Sequence, residues 1–234
     1  MKLVIGNKLY SSWSLRPWIL MRHLGLAFEE ALVPLDQPDT KARILAHSPA
    51  GKVPVLVDGA ATVWESLAIL DHLADAHPTL PIWPDAPAAR AYARSIAAEM
   101  HAGFQPLRAA MPMNLGKKYA HKDRGPDVAA NVARVEALWR EARTRFGAGG
   151  PYLFGAQFGA ADAMYAPVVT RLDTYSWPVA DDTRATMDAV LALPAFVEWR
   201  EAALDEEWVL AHDEVDEPAT AVYRRRGAPE EPTT

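Results

Sequence analysis

Residues 51–70 read GKVPVLVDGAATVWESLAIL. The run from Val53 to Val57 is apolar and largely β-branched, which predicts a buried strand. Asp58-Gly59 is a strong hairpin signal, so Thr62 to Trp64 is expected to return as an antiparallel strand. The apolar residues that follow Ser66 recur at helical spacing and predict an amphipathic helix. This stretch therefore predicts a β-β-α unit.

The segment before this unit predicts a pair of parallel strands. Leu3 to Ile5 is a short apolar strand, and a helix begins near Ser12–Ser14, where a serine can serve as the N-cap. Ala31 to Leu35 predicts the second strand. A strand, a helix and a strand within about 35 residues imply a right-handed crossover and a parallel pair. With a short helix at 39–47, the order becomes β-α-β-α-β-β-α, a small α/β module with a mixed sheet.

The character of the sequence changes after residue 78. Four prolines lie between His77 and Pro87, which is typical of a linker. Alanine-rich segments then predict helices at 88–111, 128–146, 160–176, 183–192 and 195–204, with no convincing strand between them. The predicted organisation is an α/β domain at 1–78, a linker at 79–87, an all-α domain at 88–208, and an acidic, flexible tail at 209–234.

Composition excludes several classes of function. The chain has 234 residues, half of them hydrophobic, so it can bury a core without disulfides. It contains no cysteine, which excludes a cysteine nucleophile, a disulfide framework and a thiolate metal site. The seven histidines lack metal-binding spacing, so no metal is predicted.

Charge argues against a nucleic-acid partner. The net charge is −6, and residues 205–217 carry seven acidic residues and no lysine or arginine. The rest of the chain contains 24 basic and 23 acidic residues, so no broad basic surface is expected. The opening MKLVIGN lacks the apolar core of a signal peptide, and no stretch approaches the roughly 20 apolar residues of a membrane helix. The sequence predicts a cytoplasmic protein with no membrane partner.

Three short motifs could bind a ligand, and each also has a purely structural interpretation. Serines at Ser11–Ser14 lie at the carboxyl end of a strand and the start of a helix, where a hydroxyl can donate to an anion such as a thiolate or carboxylate, or can only cap the helix. Val53-Pro54 is an ordinary strand start if trans, whereas a cis bond would present the Val53 backbone to a peptide-like ligand. Glu65-Ser66 could grip an ammonium and a carboxylate, or cap the next helix. Asp162 reads as a capping acid.

Together these motifs resemble the cytosolic glutathione transferases from about Lys2 to Trp208. The resemblance rests on their order: Ser11 to Arg16 (SSWSLR), Gly51 to Leu56 (GKVPVL), Glu65 to Ile69 (ESLAI), a proline-rich linker, and Gly159 to Asp162. It implies a thioredoxin-like domain that binds glutathione, a helical domain that supplies most of the second-substrate pocket, and a homodimer. It also implies that the Val53-Pro54 bond is cis.

Within the family the sequence is most similar to the zeta class, the maleylacetoacetate isomerases. Ser11 to Arg16 resembles the zeta serine motif, and Ala102 to Leu107 resembles a zeta stretch whose glutamine approaches glutathione. Trp13 stands where zeta enzymes have cysteine, and Glu65 replaces their glutamine. These departures bear on isomerase activity more than on glutathione binding.

The resemblance implies a site and a mechanism. Its glutathione-binding residues are Ser11, Lys52, Val53, Pro54, Glu65, Ser66 and Gln105. The candidate second-substrate residues are Trp13, Arg108, Met111, Met113, Arg171 and Tyr175. Ser11 or Ser12 is expected to donate a hydrogen bond that stabilises the glutathione thiolate for attack on a small electrophile. The alternatives are a glutathione-dependent cis-trans isomerase and a non-catalytic scaffold of the same fold.

Overall fold

The computed structural model describes residues 1–226 and begins with a four-stranded sheet. Its strands are β1 (Lys2–Ile5), β2 (Glu29–Leu32), β3 (Val55–Asp58) and β4 (Ala61–Trp64), in the order β2-β1-β3-β4. β1 and β2 are parallel, and the other two pairings are antiparallel. The predicted mixed sheet, with its crossover and its hairpin, is therefore confirmed. β2 begins two residues before the predicted strand because Glu29 is already in register with Lys2.

Three helices complete this domain: α1 (Ser12–His23), α2 (Thr40–Leu45) and α3 (Ser66–Ala76). Leu15, Trp18 and Ile19 of α1 are buried in the main core. The Trp18 ring lies 5.1 Å from the Trp199 ring, edge to face, so the core continues into the helical domain.

The second domain consists mainly of helices, which confirms the predicted fold class. They are α4 (Pro87–Ala102), α5 (Gln105–Ala110), α6 (Pro126–Phe146), α7 (Ala160–Thr174), α8 (Asp181–Leu191) and α9 (Pro194–Leu204). The sequence predicted one helix over 88–111, but the structure breaks it into α4 and α5. Phe104 has a left-handed backbone with φ of 60°, which a continuous helix does not permit.

The central helix α7 is buried almost throughout, and an aspartate in its first turn caps its N-terminus. Asp162 accepts hydrogen bonds from the backbone N–H groups of Gly159 at 3.0 Å and Leu153 at 2.9 Å. Burial raises the pKa of this carboxyl to about 6. Asp162 thus fixes a helix start, as the sequence indicated.

The C-terminal segment, residues 205–226, differs from the predicted solvated tail. It contains a short 3₁₀ helix (Ala211–Asp213) and strand β6 (Ala219–Val222), which pairs with β5 (Lys117–Tyr119) in a two-stranded antiparallel sheet. The acidic residues find partners within the fold: Glu217 contacts Arg124 at 2.8 Å and Glu214 contacts Lys117 at 2.7 Å. This pairing escapes a prediction from sequence because both strands are short and their partners are distant in the chain. Residues 227–234 of the predicted tail lie outside the described part.

Candidate functional site

A cavity of about 560 Å³ lies between the two domains. Its N-terminal wall comprises Ser11, Ser12, Trp13, Lys52 and Val53. Its C-terminal wall comprises Gln105, Arg108, Arg171, Leu210 and Asp213. A smaller cavity of about 290 Å³ adjoins it and shares Trp13, Lys52, Val53 and Arg108 while adding Pro54 and Glu65. The structure thus brings most of the candidate residues to one cleft.

The two candidate serines are in different states. The Ser11 hydroxyl donates to the Ser14 hydroxyl at 2.8 Å, and it accepts from the Ser14 N–H as the N-cap of α1. The Ser14 hydroxyl in turn accepts from the Gly6 N–H at 3.0 Å. The Ser12 hydroxyl has no hydrogen-bond partner anywhere in residues 1–226, although Ser12 is only 7% exposed and lies on the cavity wall. Of the two, Ser12 has the hydroxyl that is available to a ligand.

The Val53–Pro54 peptide bond is cis, as the resemblance implies. The bond immediately precedes β3, so the Val53 backbone lies outside the ladder that begins at Val55. Val53 lines both cavities, and Lys52 beside it is exposed at the cleft. This edge can offer backbone groups and one ammonium to a ligand.

Glu65 and Ser66 lie at the start of α3 but face different surroundings. Glu65 has φ of 67°, a left-handed conformation that costs a non-glycine residue about 1–3 kcal/mol. Its half-exposed carboxylate faces the smaller cavity and lies 3.7 Å from His101. The Ser66 side chain is fully buried, and its hydroxyl accepts a hydrogen bond from Arg16 at 3.4 Å. The rest of the residue is equally inaccessible and lines neither cavity, so the structure gives Ser66 a packing role rather than the predicted ligand contact.

Trp13 is clamped between two arginines. The guanidinium of Arg16 lies 4.2 Å from the Trp13 ring centre and that of Arg108 lies 4.6 Å from it, both within cation–π range. The His101 ring contacts the same indole edge to face at 5.2 Å. Trp13 thus joins the N-terminal wall to Arg108 of the C-terminal wall.

Positive charge accumulates behind this cleft. Arg171 is buried, and it donates to the Met111 carbonyl at 2.8 Å and the Pro167 carbonyl at 3.3 Å rather than to a carboxylate. Burial, and then the charge of Arg108, lowers the pKa of Arg171 to about 10. Burial, followed by the charges of Arg171 and Arg108, also lowers the pKa of Arg16. An anion in the cavity would relieve this crowding of cations.

Three candidate second-substrate residues do not reach the cavity. Met111 and Met113 are buried in the hydrophobic core. The Tyr175 ring stacks on Tyr119 at 5.3 Å, and its hydroxyl donates to the Pro112 carbonyl. The structure therefore places these three residues in packing roles.

Among the cavity residues that sequence reasoning missed are four titratable ones: Tyr10, Asp36, His212 and Asp213. The last two belong to the C-terminal segment, and His212 lies 3.1 Å from Asp36 across the cavity mouth. The acidic run from 205 to 217 was the available signal, but a local pattern cannot show where such a segment folds back.

Across residues 1–226, no group of three or more histidine, aspartate or glutamate side chains is placed to hold a metal ion. No helix in the same range is long and apolar enough to cross a membrane.

The two-domain fold and its cis-proline cleft agree with the glutathione transferase class that the sequence motifs resemble. The N-terminal domain model of glutathione S-transferase matches residues 10–76, and the C-terminal domain model of glutathione S-transferase matches residues 125–202. Together they cover more than half of the chain. The chain belongs to the glutathione transferase family.

Relatives include proteins of the zeta class. The chain is 27% identical to a probable maleylacetoacetate isomerase of Caenorhabditis elegans, over 81% of this chain and 90% of that protein. It is 28% identical to the maleylacetoacetate isomerase of Pseudomonas aeruginosa, over 84% of this chain and 93% of that protein. A solved maleyl pyruvate isomerase, described as a bacterial zeta-class transferase, has a TM-score of 0.62 at 25% identity and covers 87% of this chain and 98% of its own.

Proposed function

We propose that this protein is a glutathione-dependent enzyme in which Ser12 donates a hydrogen bond to the glutathione thiolate. The observation that carries the proposal is the difference between the two serine hydroxyls. The Ser11 hydroxyl is hydrogen-bonded within the N-terminal cap of α1. The Ser12 hydroxyl lies on the cavity wall in the first turn of that helix and has no hydrogen-bond partner in residues 1–226. Ser12 is therefore the donor that a bound sulfur can use.

The available interactions are large enough to shift a thiol pKa. A hydrogen bond to a charged group contributes about 1.5–3 kcal/mol. The N-terminus of a helix adds about 0.3–1 kcal/mol for a nearby anion. Because one pKa unit corresponds to about 1.4 kcal/mol, these contributions lower the thiol pKa by about one to three units. The thiolate then attacks an electrophile without a covalent enzyme intermediate.

The tripeptide is proposed to lie along the N-terminal wall and into the smaller cavity. The backbone of Val53 beside the cis bond pairs with the cysteinyl unit, and Lys52 reaches a carboxylate. The carboxylate of Glu65, on the wall of the smaller cavity, holds the γ-glutamyl end. Gln105, exposed at the first position of α5 and on the cavity wall, approaches from the other domain. Glutathione binding is supported by two solved structures of similar fold that hold glutathione, a Burkholderia glutathione transferase homologue and a maleylacetoacetate isomerase of Methylobacterium extorquens.

A cis-trans isomerase is the second candidate, and the arginines of the C-terminal wall favour it. Arg108 and Arg171 both line the cavity, and neither forms a salt bridge with a carboxylate in the described residues. They suit an electrophile that carries a carboxylate. In this reaction the thiolate adds to a conjugated double bond to give an enolate, the resulting single bond rotates, and collapse of the enolate expels the thiolate and restores the double bond.

The thiolate proposal is tested by ultraviolet absorbance of bound glutathione as the pH is varied. The wild type is expected to show a thiolate band near neutral pH, below the usual titration range of a thiol. Glutathione should also raise the melting temperature, since a ligand that binds only the folded state stabilises it. If millimolar glutathione gave neither thermal stabilisation nor a thiolate band, that result would contradict the proposal and favour a scaffold.

The two reactions are separated by substrates offered in parallel. A cis-dienone diacid reports on isomerisation, and a neutral aryl halide reports on transfer. Turnover of the halide alone would reject the isomerase, while rapid turnover of the diacid would favour it.

The homodimer that the resemblance implies and the cytoplasmic location that the sequence predicts remain proposals. Trp64 of the edge strand β4 is 42% exposed beside Glu65, and a second copy could cover it. Light scattering coupled to size exclusion should give twice the mass of 25.7 kDa. A monomeric mass would contradict the dimer.

A further inference from the structure

The loop that joins β1 to α1 carries both serines, and the C-terminal segment holds it. The Glu206 carboxylate accepts the backbone N–H of Lys8 at 2.7 Å and that of Leu9 at 3.1 Å. Glu206 is only 7% exposed. Two loop donors thus depend on a carboxylate almost 200 residues away in the chain.

Tyr10 is the second point of attachment. Its hydroxyl donates to Glu214 at 2.6 Å and accepts from Arg224 at 3.1 Å. Glu214 also pairs with Lys117 and accepts from Asn114, so its position is fixed from the helical domain. Arg224 is fixed by the backbone carbonyls of the segment at Glu206 and Trp208.

The hydrogen bonds of Tyr10 exclude it as the thiol activator. Burial, together with the hydrogen bond and charge of Glu214, raises the pKa of Tyr10 far above its ordinary value. The phenol stays protonated, and its one proton is directed to Glu214 and away from the cavity. Instead, the Tyr10 side chain is the group through which the C-terminal segment is hydrogen-bonded to the loop.

A shift of Tyr10 would be transmitted to Ser12 because a backbone hydrogen bond joins the two residues. The Ser12 N–H donates to the Tyr10 carbonyl at 2.9 Å, and the Ser11 N–H donates to the Asn7 carbonyl at 2.8 Å. The turn is short and tightly bonded, so the direction of the Ser12 hydroxyl follows the position of Tyr10.

We propose that Glu206, Glu214 and Arg224 are positioning residues that aim the thiol-activating serine from the C-terminal segment. The inference rests on the proposed function, because it takes Ser12 as the donor to sulfur. It goes beyond that function by making catalysis depend on a part of the chain that does not itself contact the sulfur.

The test compares Glu214→Leu and Glu214→Gln. Leucine removes the acceptor of the Tyr10 hydroxyl, while glutamine keeps an acceptor at the same place. Glu214→Leu is expected to raise the pKa of the bound thiol and lower the thiolate fraction at pH 6.5 about three- to tenfold, since one pKa unit corresponds to a tenfold change. Glu214→Gln should restore most of that fraction. Affinity for S-methylglutathione, which has no thiol, should stay within about twofold.

Tyr10→Phe and Glu206→Gln provide independent variants if Glu214→Leu does not fold. Both should reduce the thiolate fraction in the same direction. The matched control is Glu207→Gln, since Glu207 neighbours Glu206 but is exposed and has no hydrogen bond or ion pair in residues 1–226. It should leave the thiolate titration unchanged.

The outcomes separate this inference from the proposed function. A wild type with a normal thiolate band, together with variants that lose melting temperature but keep the same thiol pKa, would overturn the positioning role alone. A wild type that forms no thiolate would overturn both.

Discussion

The two walls of the cavity use different chemistry. The N-terminal wall offers a hydroxyl in the first turn of α1 and the backbone of Val53 beside a cis bond, with Lys52 as an exposed charge. The C-terminal wall offers two guanidinium groups, Arg108 and Arg171, the second largely buried. Hydroxyl and backbone groups on short turns form directional hydrogen bonds, which suit glutathione, the ligand common to every reaction. Buried positive charge instead selects the second substrate by its charge.

This difference predicts a division of labour between the domains. Because neutral donors act over hydrogen-bond distances, a change in the N-terminal wall should affect the thiol whatever the second substrate is. Because the arginines act on charge, a change in Arg108 or Arg171 should matter only for an electrophile that carries a negative charge. Each of the following variants tests one side of this division.

The largest effect is expected from Ser12→Ala. Removing the hydrogen bond to a charged sulfur costs about 1.5–3 kcal/mol, so kcat/KM should fall about 10- to 100-fold for every electrophile. The apparent pKa of the bound thiol should rise in the same titration. Steady-state kinetics with a charged and a neutral electrophile check that the loss is common to both.

Ser11→Ala is the natural comparison. Because the Ser11 hydroxyl caps α1, its loss should cost about 1 kcal/mol of unfolding free energy. The thiol pKa should change far less than in Ser12→Ala. If Ser11→Ala alone raised the thiol pKa, the assignment of the donor to Ser12 would be wrong.

The N-terminal half of the fold was predictable because its signals are local. The apolar run at Val53, the Asp58-Gly59 turn and the spacing after Ser66 each act over a few residues, and the sheet they predict is the one observed. The break between α4 and α5 had a local signal, because Gly103 precedes the left-handed Phe104 and Pro106 follows it, but the prediction followed the alanine-rich character through both residues.

The site was predictable only in part, and the reason is again distance along the chain. Motif order pointed to the serines, to Val53 and to Glu65, which lie within short turns of one domain. Leu210 and Asp213 reach the same cavity by folding back from the C-terminal segment, and helical spacing cannot show which face of Met111 or Tyr175 turns toward a ligand.

The second-largest effect on catalysis is expected from Arg171→Gln in the C-terminal wall. Arg171→Gln keeps donors for the Met111 and Pro167 carbonyls but removes the charge. For an electrophile that carries a carboxylate, kcat/KM should fall about tenfold, because one charge-assisted hydrogen bond is lost while Arg108 remains. The KM for glutathione should stay unchanged, as should the rate with a neutral aryl halide.

The control for this variant is Arg140→Gln. Arg140 lies on α6, where it pairs with Asp182 at 2.7 Å at the surface, so its loss should affect neither substrate. An equal loss of rate with charged and neutral electrophiles in Arg171→Gln would contradict charge recognition and indicate a general change of the cavity.

The smallest effect tests whether the two walls act independently. Trp13 belongs to the N-terminal wall, but its ring lies 4.6 Å from the guanidinium of Arg108. Trp13→Leu removes a cation–π contact of about 0.5–1 kcal/mol, so the KM for a carboxylate electrophile should rise about two- to fivefold. If Trp13 acts only through Arg108, the same substitution in an Arg108→Gln background should have no further effect on that KM, and the thiol pKa should not move in either background. An additive loss in the double variant would show that the indole acts on the electrophile independently of Arg108. A shifted thiol pKa would show that the indole also acts on the thiol site of the N-terminal wall.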